Sequence, residues 1–139
     1  MGIDFSKLAG IFIYPTSSLS SLVIFVIYSI KEKRNISIGY LIADDYDINE
    51  LRLIGDVIKA KYPKETVVLI ISGQNLSDKV NIVVSVSADL QNQYNAGKLL
   101  KSCIEFFGGK GGGNATFAQG AGTGKAKIEE AIRKFIELV

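Results

Sequence analysis

The 139-residue chain contains no histidine, and that one absence excludes more chemistry than any single residue present supports. Without imidazole there is no Ser-His-Asp triad, no histidine-bearing zinc site, and no side chain that ordinarily titrates between about pH 5 and 8. Cysteine is nearly missing too. Cys103 stands alone, so no intrachain disulfide forms and a reducing cytoplasm is the expected compartment. It falls on an apolar helical face, where a buried, inert thiol is expected rather than a nucleophile. Neither sign of charge dominates: Lys and Arg number 16, Asp and Glu 14, and a net charge of +2 does not identify a nucleic-acid binder. The distribution is more telling. From Tyr94 onward, Lys98, Lys101, Lys110, Lys125, Lys127, Arg133 and Lys134 face only Glu105, Glu129, Glu130 and Glu137. Asp44, Asp45, Asp47, Glu50 and Asp56 cluster instead around Arg52. The C-terminal half is therefore the basic side, although each lysine taken alone also fits a solvated helix face.

Charge is missing altogether between Lys7 and Lys31, where the core reads SLVIFVIYSI. Pro15 and the serines Ser17, Ser18, Ser20 and Ser21 interrupt the stretch. The uniformly apolar part falls below the ~20 residues that a helix needs to cross a bilayer. Lys31, Lys33 and Arg34 follow, as they would on a cytoplasmic flank. A signal peptide fits less well, because a positive start and a small-residue cleavage site are missing. The expectation is that residues 1–35 form an apolar, helical, oligomer-forming segment that makes the chain a homodimer, with a membrane anchor less favoured.

Residues 36–139 carry a different pattern, that of one globular domain large enough for a hydrophobic core without staples. Ile36 to Ala43 alternates as a strand. Asp47 and Glu50 resemble a capping box, and Leu51, Ile54, Val57 and Ile58 repeat at helical spacing until Pro63. Thr66 to Ser72 is a β-branched run suited to a central strand, and Val80, Ile82, Val84 and Val86 make the next, across a hairpin-like link from Gly73 to Lys79. Ala96, Leu99, Leu100, Cys103, Ile104 and Phe107 share one helical face, and Ile128, Ala131, Ile132, Phe135, Ile136 and Val139 share another. Glu129 with Arg133 and Glu130 with Lys134 are at i,i+4 spacing, and Thr123 is the expected N-cap. The order β-α-β-β-α-loop-α predicts an α/β fold, a mixed sheet covered by helices, preceded by the apolar N-terminal segment.

Between the last two helices lies GGKGGGNATFAQGAG, Gly108 to Gly122, too rich in glycine for an ordinary helix or strand. It is expected to be a loop that uses positive φ and turns its amides toward a partner, and Lys110 inside it suits an anion such as phosphate. The common nucleotide motifs fail. A Walker loop requires glycine where Gln119 stands and Ser or Thr where Ala126 stands, and G-x-G-x-x-G after a strand is not found. No cofactor, catalytic group or metal site is indicated.

The glycines Gly108 to Gly113, followed by Ala118-Gln119 and by Gly120 and Gly122, resemble the end of the DHHA1 domain as it occurs at the C-terminus of alanyl-tRNA synthetases. In that family a glycine-rich loop, an Ala-Gln pair and a final amphipathic helix occur in this order. The resemblance extends upstream to about Ile36. It implies a domain that is not catalytic by itself and binds tRNA at the outer corner of the L, in the cytoplasm, working with a catalytic alanyl-tRNA synthetase chain. On that basis the candidate RNA-contacting residues are Lys98, Lys101, Lys110, Gly111, Gly112, Gly113, Asn114, Gln119, Lys125 and Lys127. Lysines neutralise phosphates, glycine amides approach the sugar-phosphate backbone, and Asn114, Gln119 or Phe117 reach splayed bases. Phe117 fits a hydrophobic plug for the glycine loop better than a stacking platform, and Gln119 equally suits hydrogen bonding to the loop's own backbone.

Two other readings stay open. One is an accessory substrate-binding domain related to DHH phosphoesterases; those enzymes carry Asp-His-His and a histidine among the DHHA1 glycines, whereas this chain has Asp44-Asp45-Tyr46 and Lys110 and Asn114. The other is an oligomerisation or membrane-attached interaction protein.

Overall fold

A computed structural model describes residues 11–15, 22–30 and 36–139, with side chains from residue 38 onward apart from residue 44. Among the described residues, seven strands form one mixed sheet: β1 (Ile11–Pro15), β2 (Leu22–Ile30), β3 (Ile36–Asp44), β4 (Thr66–Gly73), β5 (Lys79–Val86), β6 (Lys110–Gly113) and β7 (Phe117–Thr123). Three helices cover it: α1 (Ile48–Lys61), α2 (Ala96–Ile104) and α3 (Ile128–Leu138). The strand order is β1-β2-β3-β4-β5-β7-β6, so β6 is an edge strand. Only β3 and β4 are parallel, joined through α1 as a crossover requires. The remaining pairs are antiparallel. The mixed sheet with helices is the expected fold class.

Two expectations need correction. The glycine run is not a loop: Lys110 pairs with Ala121, Gly111 with Gly120, Gly112 with Gln119 and Gly113 with Ala118, making a β-ribbon. From β3 onward the order is thus β-α-β-β-α-β-β-α. Within residues 1–35, the helical expectation gives way to strands at Ile11–Pro15 and Leu22–Ile30, where β-branched residues are dense and β3 offers an edge to pair with. Residues 1–10, 16–21 and 31–35 lie outside the described residues, and the oligomer-forming role of this segment remains an expectation. Among the described residues, no helix is long and apolar enough to cross a membrane.

Local signals explain most of the rest. Asp47 and Glu50 close a reciprocal capping box at the start of α1, with Glu50 N–H donating to Asp47 Oδ1 at 2.9 Å and Asp47 N–H to Glu50 Oε1 at 3.2 Å. Asn95 caps α2 by accepting from Lys98 N–H at 3.1 Å. The last helix starts later than Thr123 predicts. Thr123 ends β7, Gly124 takes a left-handed φ of 115°, and one 3₁₀ turn precedes α3, whose flanking residue is Lys127. Of the i,i+4 pairs, Arg133 meets Glu129 at 3.3 Å.

Helices on both sides divide the core in two. Between the sheet and α2 and α3 lie Tyr40, Leu69, Ile71, Ile82, Val84, Leu100, Cys103, Ile132 and Phe135. Between the sheet and α1 lie Leu41, Tyr46, Leu51, Ile58, Val68, Ile70 and Val83. Because β4 is buried on both faces, it reads as a continuous apolar run. Buried polar side chains are used as staples: Ser72 Oγ accepts from Tyr46 N–H at 2.8 Å, and Asn81 Nδ2 donates to Tyr46 O at 3.1 Å, fixing the β3–α1 turn.

Candidate nucleic-acid interface

The β6–β7 ribbon is built by glycines that make room for its own backbone. A Cβ at Gly109 would overlap the Ala121 carbonyl, and one at Gly113 the Phe117 carbonyl. At Gly111 it would stand 2.5 Å from Gln119 O and 2.9 Å from Leu100 Cδ2. At Gly120 it would meet Ile104 Cδ1 at 2.9 Å, and at Gly122 Phe107 Cβ at 2.6 Å. These positions let the ribbon close on itself and lie directly on α2 and the turn after it. Gly112 is different, since among the described residues nothing lies within 4 Å of where its Cβ would be. The positive φ that the run is expected to use occurs at Gly108 (57°) and, just past its end, at Gly124 (115°), and not at Gly112.

Asn114 shapes the turn of this ribbon. Its Oδ1 accepts from Thr116 N–H at 2.9 Å, Thr116 Oγ1 at 3.0 Å and Phe117 N–H at 2.9 Å, while its own N–H donates to Phe117 O at 2.9 Å. The side-chain oxygen is thus committed to the fold. Ala96 and Gly97 N–H donate to Ala115 and Asn114 carbonyls at 2.9 and 3.2 Å, docking the turn on the start of α2. The Asn114–Phe117 bond also sets the phase of the ladder. Alternation puts Gly112 in a hydrogen-bonded pair and turns the N–H and C=O groups of Gly111 and Gly113 outward along the free edge. All four residues of β6 are exposed.

Helical spacing carries Lys98 and Lys101 to the same edge. Gly97 and Leu100 face β6, and Cys103 reaches toward α3 with Sγ 3.8 Å from Ala131 O. At about 3.6 residues per turn, Lys98 and Lys101 then fall on the flank of α2 away from α3, beside the edge strand. Both are exposed, as is Lys110. A basic flank and outward backbone amides therefore meet along one edge.

The other expected residues are placed elsewhere. Lys125 is half-buried: its Nζ donates to Gln74 O at 2.6 Å, its N–H donates to Asp78 Oδ1 at 2.9 Å, and its stem lies over Gly73. Lys127 is exposed at the start of α3. Phe117 packs against α1, its ring 3.4 Å from where a Cβ of Gly55 would be, so it joins the α1-side core. Gln119 is half-buried on the α1 side of the ribbon, since its neighbours Ala118 and Gly120 turn toward α2 and its cross-strand partner Val83 belongs to the α1 core. Its side chain forms no hydrogen bond among the described residues, so it does not serve the ribbon's backbone as Asn114 does. The strand character of the run, and hence the existence of an edge, was hidden from sequence reasoning; the one signal was the alternation of Ala118, Gly120 and Gly122 with larger Gln119.

Burial pushes the Cys103 thiol up to about 12, which makes it inert as expected. No group of three or more metal-ligating side chains is found among the described residues.

Comparison with known proteins agrees with this architecture. The family model of the DHHA1 domain matches residues 23–139. The alanine–tRNA ligase of Ruthia magnifica is 34% identical over 114 residues, covering 82% of this chain, and that of Bacillus subtilis is 36% identical over 108 residues, covering 77%. The chain spans only 13% and 12% of the lengths of those relatives. Among solved structures, the C-Ala domain of Aquifex aeolicus alanyl-tRNA synthetase superposes with a TM-score of 0.68 at 29% identity, over 75% of this chain and 91% of that one. A DHH domain protein described as a member of a family of ribosomal proteins shares the fold, with a TM-score of 0.51 at 18% identity, over 81% of this chain and 27% of that one. The chain therefore belongs to the DHHA1 domain family and resembles, within it, the C-terminal domain of alanyl-tRNA synthetase.

Proposed function

We propose that the chain is a non-catalytic tRNA-binding domain that meets the outer corner of tRNA along the free edge of β6. The observation that carries this reading is the convergence of Lys98, Lys101 and Lys110 on an edge with outward amides at Gly111 and Gly113, in a domain resembling C-Ala. Lysines neutralise phosphates without reading sequence, and amides donate to phosphate or ribose oxygens. Aminoacylation and editing then belong to a partner alanyl-tRNA synthetase chain, and the reducing cytoplasm is the site of action. Lys127 lies outside this edge and contributes at most a distant charge. Lys125 and Asn114 serve the fold.

Filter binding of the full chain to a tRNA transcript and to duplex DNA of similar length, each at two salt concentrations, tests the proposal. Tighter binding of tRNA at both salts is expected. Equal binding of both, vanishing with salt, would reduce the interface to nonspecific charge and overturn it.

A further inference from the structure

We infer that the outward face of α1 is a contact between two copies of this chain, whose α1 helices pair antiparallel about a two-fold axis at Gly55. This surface is separate from the basic β6 edge, which lies beside α2, and from residues 1–35. It does not depend on the tRNA-binding reading.

Helical spacing gives α1 two apolar rows. Leu51, Gly55 and Ile58 are buried against the sheet, with Ile48, Ile54 and Tyr62 packed beside them. Leu53 and Val57 stand one turn apart on the far side and are 65% and 66% exposed, so the packing of α1 on its own sheet does not use them. The other large exposed hydrophobics, Leu76 and Leu138, lie singly on other elements, and a single exposed Leu is ordinary. A pair on one helix face is not. Ala60, also exposed, continues the row with a side chain small enough for a second helix to come close.

Charge decides the occupant. On one flank of the row Arg52 precedes Asp56; both are exposed, and neither forms an ion pair among the described residues. On the other flank Glu50 precedes Lys61. Glu50 gives Oε1 to the capping box and keeps a second carboxylate oxygen, and the Lys61 ammonium lies 5.8 Å from the centre of the Tyr62 ring. Each flank therefore carries opposite signs at its two ends. An antiparallel two-fold pairing sets each flank against the same flank of the other copy, so Arg52 meets Asp56 and Glu50 meets Lys61 across the contact. At ~1.5 Å of rise per residue, the Leu53–Val57, Arg52–Asp56 and Glu50–Lys61 pairs are all centred within about 1.5 Å of Gly55 along the axis, so one two-fold axis serves all three. Two acidic and two basic groups leave the face neutral, which does not suit RNA. An unrelated protein would account for the apolar pair but not for charges that complement their own rotated image. A contact between two four-turn helices is small, so the dimer is weak, forming at concentrations on the order of 100 μM.

Sedimentation equilibrium of the full chain without RNA, from about 5 to 500 μM, tests the contact, and the parent should show concentration-dependent self-association. Leu53→Glu should raise the dissociation constant roughly tenfold or more, because it sets a carboxylate against an apolar partner, and should keep the parent's circular dichroism. Asp56→Arg sets Arg against Arg52 of the second copy and should weaken association several-fold. Adding Arg52→Asp to that variant exchanges the two signs and should recover the parent's association, a rescue that loss of helix stability would not produce. The charge variants decide the matter if Leu53→Glu loses its helical spectrum. A parent that stays monomeric over the whole range overturns the inference. So does self-association that is the same in the parent and in folded Leu53→Glu, which would place the contact elsewhere, as in residues 1–35. Failure of the double exchange to improve on Asp56→Arg overturns the antiparallel pairing.

Discussion

Gly111 and Gly112 are adjacent and chemically identical, yet the fold needs only the first. Gly111→Ala forces a methyl group against Gln119 O and Leu100 and should cost about 2–3 kcal/mol, as overpacking does. Gly112→Ala should change stability by less than about 0.5 kcal/mol in urea denaturation, as a surface change does. A difference in the opposite order would show that the ribbon is not paired as described. Lys125→Ala should lower stability by about 1–2 kcal/mol, through the lost bond to Gln74 O, and leave the salt dependence of tRNA binding unchanged. Cys103 and Tyr40 predict the pH response. Burial lifts the thiol from 9.0 to about 12, and burial together with the Glu129 carboxylate lifts the Tyr40 phenol from 10.0 to about 12. A raised folded-state pKa stabilises fully below the unfolded value and is lost as pH rises through the folded one. The urea midpoint should therefore hold steady between about pH 6 and 8, where no histidine titrates, and fall progressively above about pH 9. Cys103→Ala should flatten the first part of that fall. At this scale the inert thiol was legible in the sequence, since apolar spacing reports burial. The roles of Asn114 and Lys125 were not, because a polar side chain near a turn serves backbone and ligand with the same atoms.

Among the elements, the helices announce themselves through their ends as much as their faces. Asp47→Ala removes one half of the α1 capping box and should cost about 1 kcal/mol, measured as a lower urea midpoint. Asn114→Ala frees three donors at the ribbon turn at once and should reduce amide-exchange protection in β6 and β7 while α1 stays protected. Equal loss of protection in α1 would contradict the local role. α1, α2, β3, β4 and β5 were legible because capping residues and period-2 or period-3.6 apolar patterns mark them. β6 and β7 were not, for a physical reason. Glycine disfavours strands on its own, and here it is selected by close approach to Ala121, Gln119 and Leu100, contacts that exist only in the folded sheet. Thr123 misled similarly, because a left-handed Gly124 and a 3₁₀ turn intervene before α3.

Across the whole molecule, the sheet order is what gathers scattered residues onto one edge. With β6 at the edge and α2 lying along it, Lys98 and Lys101 join Lys110 although sequence separates them by a helix and a turn. The basic C-terminal half was visible in the sequence, but not that Lys125 is spent on the β4–β5 link while Lys127 sits apart at α3. The resemblance to the C-terminal domain of alanyl-tRNA synthetase was readable from the glycines and the Ala-Gln pair, and the likeness to C-Ala agrees with it. The strands at Ile11–Pro15 and Leu22–Ile30 were hidden because an apolar run without alternation does not distinguish a helix from a strand. In the proposed reading, the β6 edge and its three lysines hold tRNA. The most direct measurement is tRNA affinity against salt for the parent chain and for the triple variant Lys98→Ala, Lys101→Ala, Lys110→Ala, with Lys59→Ala on α1 as control. The log–log slope should become shallower by about 2–3 in the triple variant and stay unchanged in the control, because roughly one unit of counterion release accompanies each phosphate contact. An unchanged slope and affinity in the folded triple variant would contradict it.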